Sequence, residues 1–312
     1  MKVLLPDTVA LDPDLPAGTV AITYDVRRPV PDEHTDAEVL VVWGNPPEAL
    51  SEAATRLKSL RWVQTLAAGP DAVLAAGFGP DVLITAGLGL HDQTVAEHTL
   101  ALVLAAARRL NLLVRAQIGH RWAGELGGLQ PVDDPGAFRT LRGATVVIWG
   151  FGGIAATLAP LLAALGADVT GVARSAGTRH GFPVVTEEAF AELLPRTDVL
   201  ISILPATPAT TRVLDAGVLA QLQPHAWVVN VGRGSTLDEV ALLNAIRSGR
   251  LAGTALDVFA TEPLGAESPL WDEPNIIISP HAAGGRPVGA SELITANVAA
   301  FRAGQPLRNL VS

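Results

Sequence analysis

The sequence has 312 residues and a net charge of −9, with 17% of its residues charged and 49% hydrophobic. This composition excludes an intrinsically disordered chain, and the acidic balance argues against nucleic acid as a partner. The absence of cysteine excludes a disulfide framework, a thiolate metal site and a cysteine nucleophile, and the length suits about two domains of roughly 150 residues each.

The N-terminus carries one Lys and a short apolar run that Pro6 and Asp7 end. A signal peptide needs an apolar stretch of about 7–15 residues, and the most apolar window of the chain, 99–107, is about half as long as a membrane span. We therefore expect a cytoplasmic protein that does not act at a membrane.

Short apolar runs recur through the first third of the chain, and Leu50, Ala53 and Leu57 share one face of a predicted helix between two of them. The predicted strands are Val3–Leu5, Thr19–Thr23, Glu38–Trp43, Trp62–Leu66 and Val82–Thr85. Strands that alternate with helices predict a parallel sheet with helices on its faces.

Residues 94–117 predict one long helix, which is apolar on nearly every face until Arg108. A helix of this kind has to be buried on all sides. Two explanations stay open, the core of a large domain and a subunit interface.

A second alternation of strands and helices begins near residue 144, and 288–302 is helical again. Six further strands are predicted, at Ala144–Trp149, Asp168–Ala173, Val199–Leu204, Trp227–Val231, Gly253–Val258 and Asn275–Ile278. Parallel strands with a glycine-rich turn after the first are the dinucleotide-binding arrangement of a Rossmann domain.

The glycine-rich turn comprises Gly150, Gly152, Gly153 and Ile154, with Ala155 at the third glycine position of the motif. The first glycine permits the tight turn, and the second permits the backbone to approach a pyrophosphate. The phosphates would lie at the N-terminus of the helix that follows. An ordinary structural turn is the alternative.

The second strand of such a domain usually ends in a carboxylate that binds the ribose 2′-hydroxyl. Here the chain has Ala173, followed by Arg174 and Ser175, with Arg179 and His180 nearby. A cation and a hydroxyl suit a 2′-phosphate, so the sequence favours NADP over NAD. The alternative is that Arg174 is only a solvated surface residue.

Three charged side chains follow predicted strands of the second half, namely Arg233, Glu262 and His281. Ligands of open α/β sheets bind at the carboxyl ends of the strands. A surface salt bridge for Glu262 and a helix cap for His281 are the structural alternatives. No HExxH, Walker or nucleophile-elbow motif occurs, and we predict no metal site.

The sequence resembles the D-isomer-specific 2-hydroxyacid dehydrogenases. The resemblance lies in LAAGPD at 66–71, TVAEHT at 94–99, the glycine turn, LPATPATTRVLD at 204–215, the block at 229–264 that begins VNVGRG, and PLWDEPNIIISPHAAG at 269–284. It implies that Arg233, Glu262 and His281 are catalytic, with His281 as the acid, Glu262 holding its other ring nitrogen and Arg233 binding the substrate carboxylate.

The resemblance also implies cofactor and substrate contacts. Asp257 would receive the nicotinamide carboxamide and Ala68 and Gly69 the substrate carboxylate. The other implied cofactor residues are Leu204, Pro205, Val231, Gly232, Ala283 and Gly284. His98 is interpreted as a structural histidine, and His91 as either structural or substrate-contacting.

The fold that this resemblance implies is α/β with two doubly wound parallel-sheet domains. A Rossmann domain at 94–285 is inserted into a flavodoxin-like substrate domain formed by 1–93 and 286–312. The helix from Thr94 would be a hinge and part of a two-fold interface, so a homodimer is expected.

We therefore expect an oxidoreductase that transfers a hydride between NAD(P)H and a small 2-keto acid such as glyoxylate or hydroxypyruvate. The alternatives are a phosphoglycerate or phosphite dehydrogenase, and a non-catalytic scaffold that senses NAD(P).

Overall fold

The computed structural model describes residues 1–127 and 137–311, and the chain divides into two units. The first unit comprises Met1–His91 and Gly285–Ser312, and the second unit comprises Asp92–Gly284. The first unit is therefore built from both ends of the chain.

The sheet of the first unit has five parallel strands in the order β2-β1-β3-β4-β5. These are β1 (Lys2–Pro6), β2 (Val20–Tyr24), β3 (Val39–Val42), β4 (Trp62–Thr65) and β5 (Leu83–Thr85). All five coincide with strands predicted from the sequence, and their order is that of a flavodoxin-like sheet. β3 and β4 are buried along their whole length, as expected of central strands covered on both faces.

Helices α1 (Pro47–Arg56) and α2 (Asp71–Ala75) connect strands of this sheet, and α9 (Ala290–Arg302) is added to it from the end of the chain. Ile294 and Val298 of α9 are fully buried in one hydrophobic cluster with Val3 of β1. Beyond α9, Leu310 forms an antiparallel bridge to Thr85 at the edge of the sheet. The last segment thereby completes the core and covers the edge strand.

A buried polar network fixes this returning segment. The Asn297 side chain donates to Gln64 Oε1 over 2.8 Å and accepts from the Arg308 amide over 2.8 Å. Thr85 also donates to Gln64 Oε1, and the Trp62 indole donates to Thr85 Oγ1, both over 2.8 Å. Because these polar groups are hydrogen-bonded to one another, their burial among apolar side chains costs little free energy.

The sheet of the second unit has eight strands in the order β13-β12-β11-β10-β6-β7-β9-β8. They are β6 (Thr145–Trp149), β7 (Asp168–Val172), β8 (Gly177–Arg179), β9 (Phe182–Val185), β10 (Val199–Ser202), β11 (Trp227–Asn230), β12 (Gly253–Leu256) and β13 (Ile276–Ile278). The six predicted strands are confirmed, as is the α/β fold class. The prediction missed the antiparallel pair β8–β9, because these strands are short and β8 is largely polar.

The single helix predicted at 94–117 is wrong, since the segment forms α3 (Asp92–Ala107) and α4 (Leu110–Ile118). Arg109 between them adopts the left-handed conformation, with φ of 53°, which ends the hydrogen-bond ladder of α3. In the second helix Leu110 and Val114 are exposed in the single chain, which leaves open the predicted alternative of a subunit interface.

The remaining helices of the second unit are α5 (Gly153–Ala164), α6 (Glu187–Phe190), α7 (Ala216–Gln221) and α8 (Glu239–Arg247). Asp215 caps α7, and Asp238 caps α8 through the amides of Val240 and Ala241. Within the described ranges, no helix is both long enough and apolar enough to cross a bilayer.

Candidate functional site

Three loops of the second unit carry the predicted catalytic side chains. β11, β12 and β13 are adjacent, parallel and in register. Arg233, Glu262 and His281 follow these strands in that order. All three loops therefore start from the carboxyl edge of one sheet, where parallel sheets bind their ligands.

His281 and Glu262 are in direct contact. His281 Nδ1 lies 2.7 Å from Glu262 Oε2, while Glu262 Oε1 accepts from the Phe259 amide over 2.9 Å. The carboxylate is thus fixed on one oxygen by the backbone and binds the imidazole with the other. Because a carboxylate only accepts, Nδ1 carries a proton, and Nε2 is the nitrogen that gives or takes one. The His281 side chain is 49% exposed, so a ligand has access to it.

The backbone of His281 is held in a strained conformation. Its φ is 50°, in the left-handed region that residues other than glycine seldom adopt. The His281 amide donates to the Asp257 carbonyl over 2.8 Å. The Asp257 carboxylate accepts from the amides of Ala282 over 2.8 Å and Ala283 over 3.0 Å. Asp257 therefore clamps the turn that orients the imidazole.

Arg233 lies in a turn that the side chain of Asn230 stabilises. Asn230 Oδ1 accepts from the Gly232 amide, and Asn230 Nδ2 donates to the Arg233 carbonyl, each over 3.1 Å. Thr236 Oγ1 donates to the same carbonyl over 2.7 Å. The sequence analysis did not single out Asn230, although an asparagine at the buried end of a strand is the available signal.

At Gly234 the Arg233 turn packs closely against the loop that holds Glu262. A Cβ atom built on Gly234 would lie 1.9 Å from the carbonyl carbon of Phe259. Phe259 is the residue whose amide binds Glu262. Only glycine permits this backbone approach, so the positions of Arg233 and Glu262 depend on the same contact.

The predicted glycine-rich turn lies between β6 and α5. Gly150 has φ of 100°, and a Cβ atom on it would lie 2.7 Å from the Ile203 carbonyl oxygen. A Cβ atom on Gly152 would meet no atom of the described residues within 4 Å, so space is open in front of it. α5 starts at Gly153, its N-cap Gly152 offers no side chain, and Ala155 is fully buried against the core. An exposed glycine turn at the N-terminus of a helix fits a dinucleotide pyrophosphate.

Beyond β7, Arg174 and Ser175 are exposed, and Arg179 of β8 lies beside them. Arg179 Nη2 donates to Ser175 Oγ over 2.7 Å, and Nη1 donates to the Phe151 carbonyl over 3.2 Å. Arg179 thereby connects the glycine turn with the tip of β7. The sequence analysis placed Arg179 only near Arg174 along the chain. Its position in the structure is set by the β8–β9 pair, which the prediction missed.

The remaining predicted cofactor residues of the second unit line the neighbouring strand ends. Leu204 and Val231 are buried, and a Cβ atom on Gly232 would lie 2.5 Å from the Leu204 carbonyl oxygen. Pro205 is exposed. Ala283 is buried, and the Gly284 carbonyl accepts from Thr94 Oγ1 over 2.6 Å. Their contacts with a cofactor stay predictions.

In the first unit, Ala68 and Gly69 lie in the loop that follows β4. His91 Nε2 lies 2.8 Å from the Leu66 carbonyl oxygen, and the His91 ring is stacked on Trp43 with 5.2 Å between centroids. His91 is therefore a buried support of the loop that carries the two predicted substrate amides.

Residues 100–283 match a family model described as D-isomer specific 2-hydroxyacid dehydrogenase, NAD binding domain. Glyoxylate/hydroxypyruvate reductase A from Serratia proteamaculans (strain 568) is 34% identical over 289 residues, which cover 90% of this chain and 88% of the relative.

Two solved structures resemble the chain over its whole length. A D-isomer specific 2-hydroxyacid dehydrogenase from Xanthobacter autotrophicus Py2, in complex with NADPH and MES, has a TM-score of 0.82 at 30% identity and covers 100% of this chain and 97% of its own. An NADPH-dependent glyoxylate/hydroxypyruvate reductase from Sinorhizobium meliloti, in complex with NADP and sulfate, has a TM-score of 0.80 at 26% identity. The match covers 100% of this chain and 98% of the reductase chain.

Proposed function

The chain belongs to the family of D-isomer specific 2-hydroxyacid dehydrogenases, and we propose that it reduces a small 2-keto acid of the glyoxylate or hydroxypyruvate kind with NADPH. The name of the Serratia relative and the bound nucleotides of the two structures support this choice of substrate and cofactor. We assign dinucleotide binding to the second unit and substrate binding to the first.

The observation that carries the proposal is the 2.7 Å contact between His281 Nδ1 and Glu262 Oε2. Reduction of a ketone needs a hydride at the carbonyl carbon and a proton at its oxygen. The bound nicotinamide would supply the hydride. His281 supplies the proton from Nε2, because its other ring nitrogen, Nδ1, is bound to Glu262.

In the second unit, the substrate carboxylate is assigned to Arg233. A guanidinium binds a carboxylate through two parallel hydrogen bonds, and at this position it would also polarise the adjacent carbonyl. Among the described residues, no hydrogen bond uses the amides of Ala68 and Gly69 as donors, which leaves both for a substrate carboxylate.

The test is absorbance at 340 nm with NADPH or NADH against glyoxylate, hydroxypyruvate, pyruvate and phosphohydroxypyruvate. We expect the first two compounds to give the highest kcat/KM. Turnover of phosphohydroxypyruvate alone would replace the proposed substrate with that of a phosphoglycerate dehydrogenase. The absence of turnover with every compound and both nucleotides would refute the reductase function and favour an NAD(P)-sensing scaffold.

We further propose that the chain prefers NADP to NAD. The tip of β7 has no carboxylate to bind a ribose 2′-hydroxyl, and its exposed Arg174 and Ser175 suit a 2′-phosphate. Arg179, which donates to Ser175 Oγ over 2.7 Å, adds a second cation at the same place.

The double variant Arg174→Ala/Arg179→Ala should lower the ratio of kcat/KM for NADPH to that for NADH by about tenfold or more, because charge-assisted contacts to the phosphate are lost. Steady-state kinetics with both nucleotides measure this ratio. Arg196→Ala, which removes an exposed arginine of the same unit, is the matched control and should leave it unchanged. A wild-type enzyme that prefers NADH would contradict the assignment.

A homodimer is also proposed, and the exposed apolar face of α4 supports it. Leu110, Val114 and Ile118 follow one another at intervals of four residues, and Ile118 is 74% exposed. Trp122 beyond the helix is 95% exposed. Apolar side chains clustered on a surface indicate a protein interface.

Val114→Glu should convert the dimer into a monomer, because the carboxylate would be buried unpaired in the interface. Sedimentation velocity of the wild type and the variant measures the change. Gln117→Glu, an exposed position of the same helix, serves as the control and should remain dimeric. If the wild type sediments as a monomer at micromolar concentration, the proposed dimer is wrong.

A further inference from the structure

Helix α3 holds the loop that carries His281 at two points. Thr94 Oγ1 donates to the Gly284 carbonyl over 2.6 Å, and His98 Nε2 lies 2.9 Å from Ser279 Oγ. Thr94 and His98 are four residues apart, so they lie on the same face of α3, one helical turn from each other. Ser279 and Gly284 flank the His281 turn on either side.

The direction of the hydrogen bond between His98 and Ser279 follows from the number of protons that Ser279 can donate. Ser279 Oγ lies 2.6 Å from Asp257 Oδ1, and a carboxylate only accepts, so the single hydroxyl proton of Ser279 is donated to Asp257. The bond from His98 to Ser279 must then use a proton on His98 Nε2. This nitrogen also lies 3.5 Å from Asp257 Oδ1.

Asp257 links Ser279 to the loop that carries His281. Its side chain is only 1% exposed, and its two oxygens bind the amides of Ala282 and Ala283, the residues directly after His281. A buried carboxylate has to be held by donors, and here the donors are the loop amides on one side and Ser279, supported by His98, on the other. The left-handed backbone of His281 depends on this arrangement.

We propose that His98 is a positioning residue for the reaction, which acts on His281 through Ser279 and Asp257. This inference rests on the proposed function of His281 as the proton donor. The sequence analysis interpreted His98 as structural. The geometry gives it a more specific task, because its partners are the groups that hold the imidazole at the angle needed for proton transfer.

The experiment compares His98→Leu with His98→Gln, in which the amide nitrogen of Gln takes the place of Nε2. Since lost alignment acts on the chemical step, we expect His98→Leu to lower kcat for glyoxylate by about tenfold or more. The KM for glyoxylate should stay within about twofold, because Arg233, which is assigned to the substrate carboxylate, lies outside this network. His98→Gln should retain at least about a third of the wild-type kcat, because a donor to Ser279 is restored. Ser279→Ala should match His98→Leu, and the double variant should be no slower than either.

His225→Leu is the control, since it also removes an imidazole from a carboxylate in the same unit. His225 Nε2 lies 2.6 Å from Asp198 Oδ1, beside the amino ends of the strands rather than their carboxyl ends. This variant should reduce the melting temperature and leave kcat unchanged. Equal kcat in His98→Leu and wild type, or a His98→Gln variant as slow as His98→Leu, would overturn the proposal.

Nuclear magnetic resonance of the ¹⁵N-labelled imidazoles provides a readout that does not need turnover. His98 should carry a proton on Nε2, and the ring signals of His281 should shift in His98→Leu and Ser279→Ala but not in His225→Leu. These signals are informative even if the wild type reduces none of the keto acids, in which case the proposed function alone fails. A His98 ring with a bare Nε2, or unshifted His281 signals, would refute the positioning role.

Discussion

Replacing His281 by Ala is expected to lower kcat for glyoxylate by about 10²–10⁴-fold, the usual contribution of a positioned general acid. The variant loses the ring that Glu262 holds through a 2.7 Å contact, and with it the proton that goes to the carbonyl oxygen. The dissociation constant for NADPH, measured by fluorescence titration, should stay within about twofold, because the glycine turn and the tip of β7 are untouched.

Two further variants distinguish the loss of the proton donor from a loss of folded structure. Glu262→Gln keeps an acceptor for Nδ1 but replaces a charge-assisted hydrogen bond with a weaker neutral one. The ring is then held less firmly, so kcat should lie between those of the wild type and His281→Ala. His225→Ala makes the same truncation at the amino ends of the strands and should retain the wild-type kcat. A His281→Ala variant as active as the wild type would remove His281 from the mechanism.

Gly234→Ala is expected to abolish most of the activity and to destabilise the second unit. The added Cβ atom would lie 1.9 Å from the carbonyl carbon of Phe259, and backbone cannot yield to it as a flexible side chain would. Either the Arg233 turn or the Glu262 loop has to move. We expect kcat/KM to fall by at least about 10²-fold and the free energy of unfolding to fall by about 2–3 kcal/mol.

Urea unfolding and steady-state kinetics measure the two effects of Gly234→Ala. Ser235→Ala is the neighbouring control, because Ser235 is exposed in the same turn and its truncation should change the free energy of unfolding by less than about 0.5 kcal/mol. If Gly234→Ala retained wild-type kinetics, the close approach of the two loops would have no role in positioning Arg233 and Glu262.

Most of the strands could be predicted from the sequence because they are central and apolar. β10 and β11, for example, are buried along their whole length, and an uninterrupted apolar run is the pattern of a parallel strand covered on both faces. The position of Arg233, Glu262 and His281 at one edge of the sheet could be predicted for the same reason. Side chains that directly follow parallel strands lie at the carboxyl edge of their sheet.

The features that escaped prediction depend on tertiary contacts. β8 has only three residues, Gly177–Arg179, of which two are exposed, so no periodicity reveals it. The break at Arg109 follows neither glycine nor proline, and the helix propensity of the flanking residues gives no sign of it. His98 contacts Ser279, which lies 181 positions away along the chain, and no local sequence pattern predicts such a contact.

The discontinuity of the first unit has a consequence for how the protein is made. Val3 precedes the second unit in the chain, yet the cluster that buries it needs Ile294 and Val298 of α9, which follow that unit. The partner that covers the edge at Thr85 is Leu310, which follows the whole second unit in the chain. A ribosome-bound chain stalled before Gly285 therefore holds all of the second unit but a first unit with an open apolar face and an unpaired strand edge. The strands of the first unit can complete their core only after the segment that follows the second unit has been synthesised.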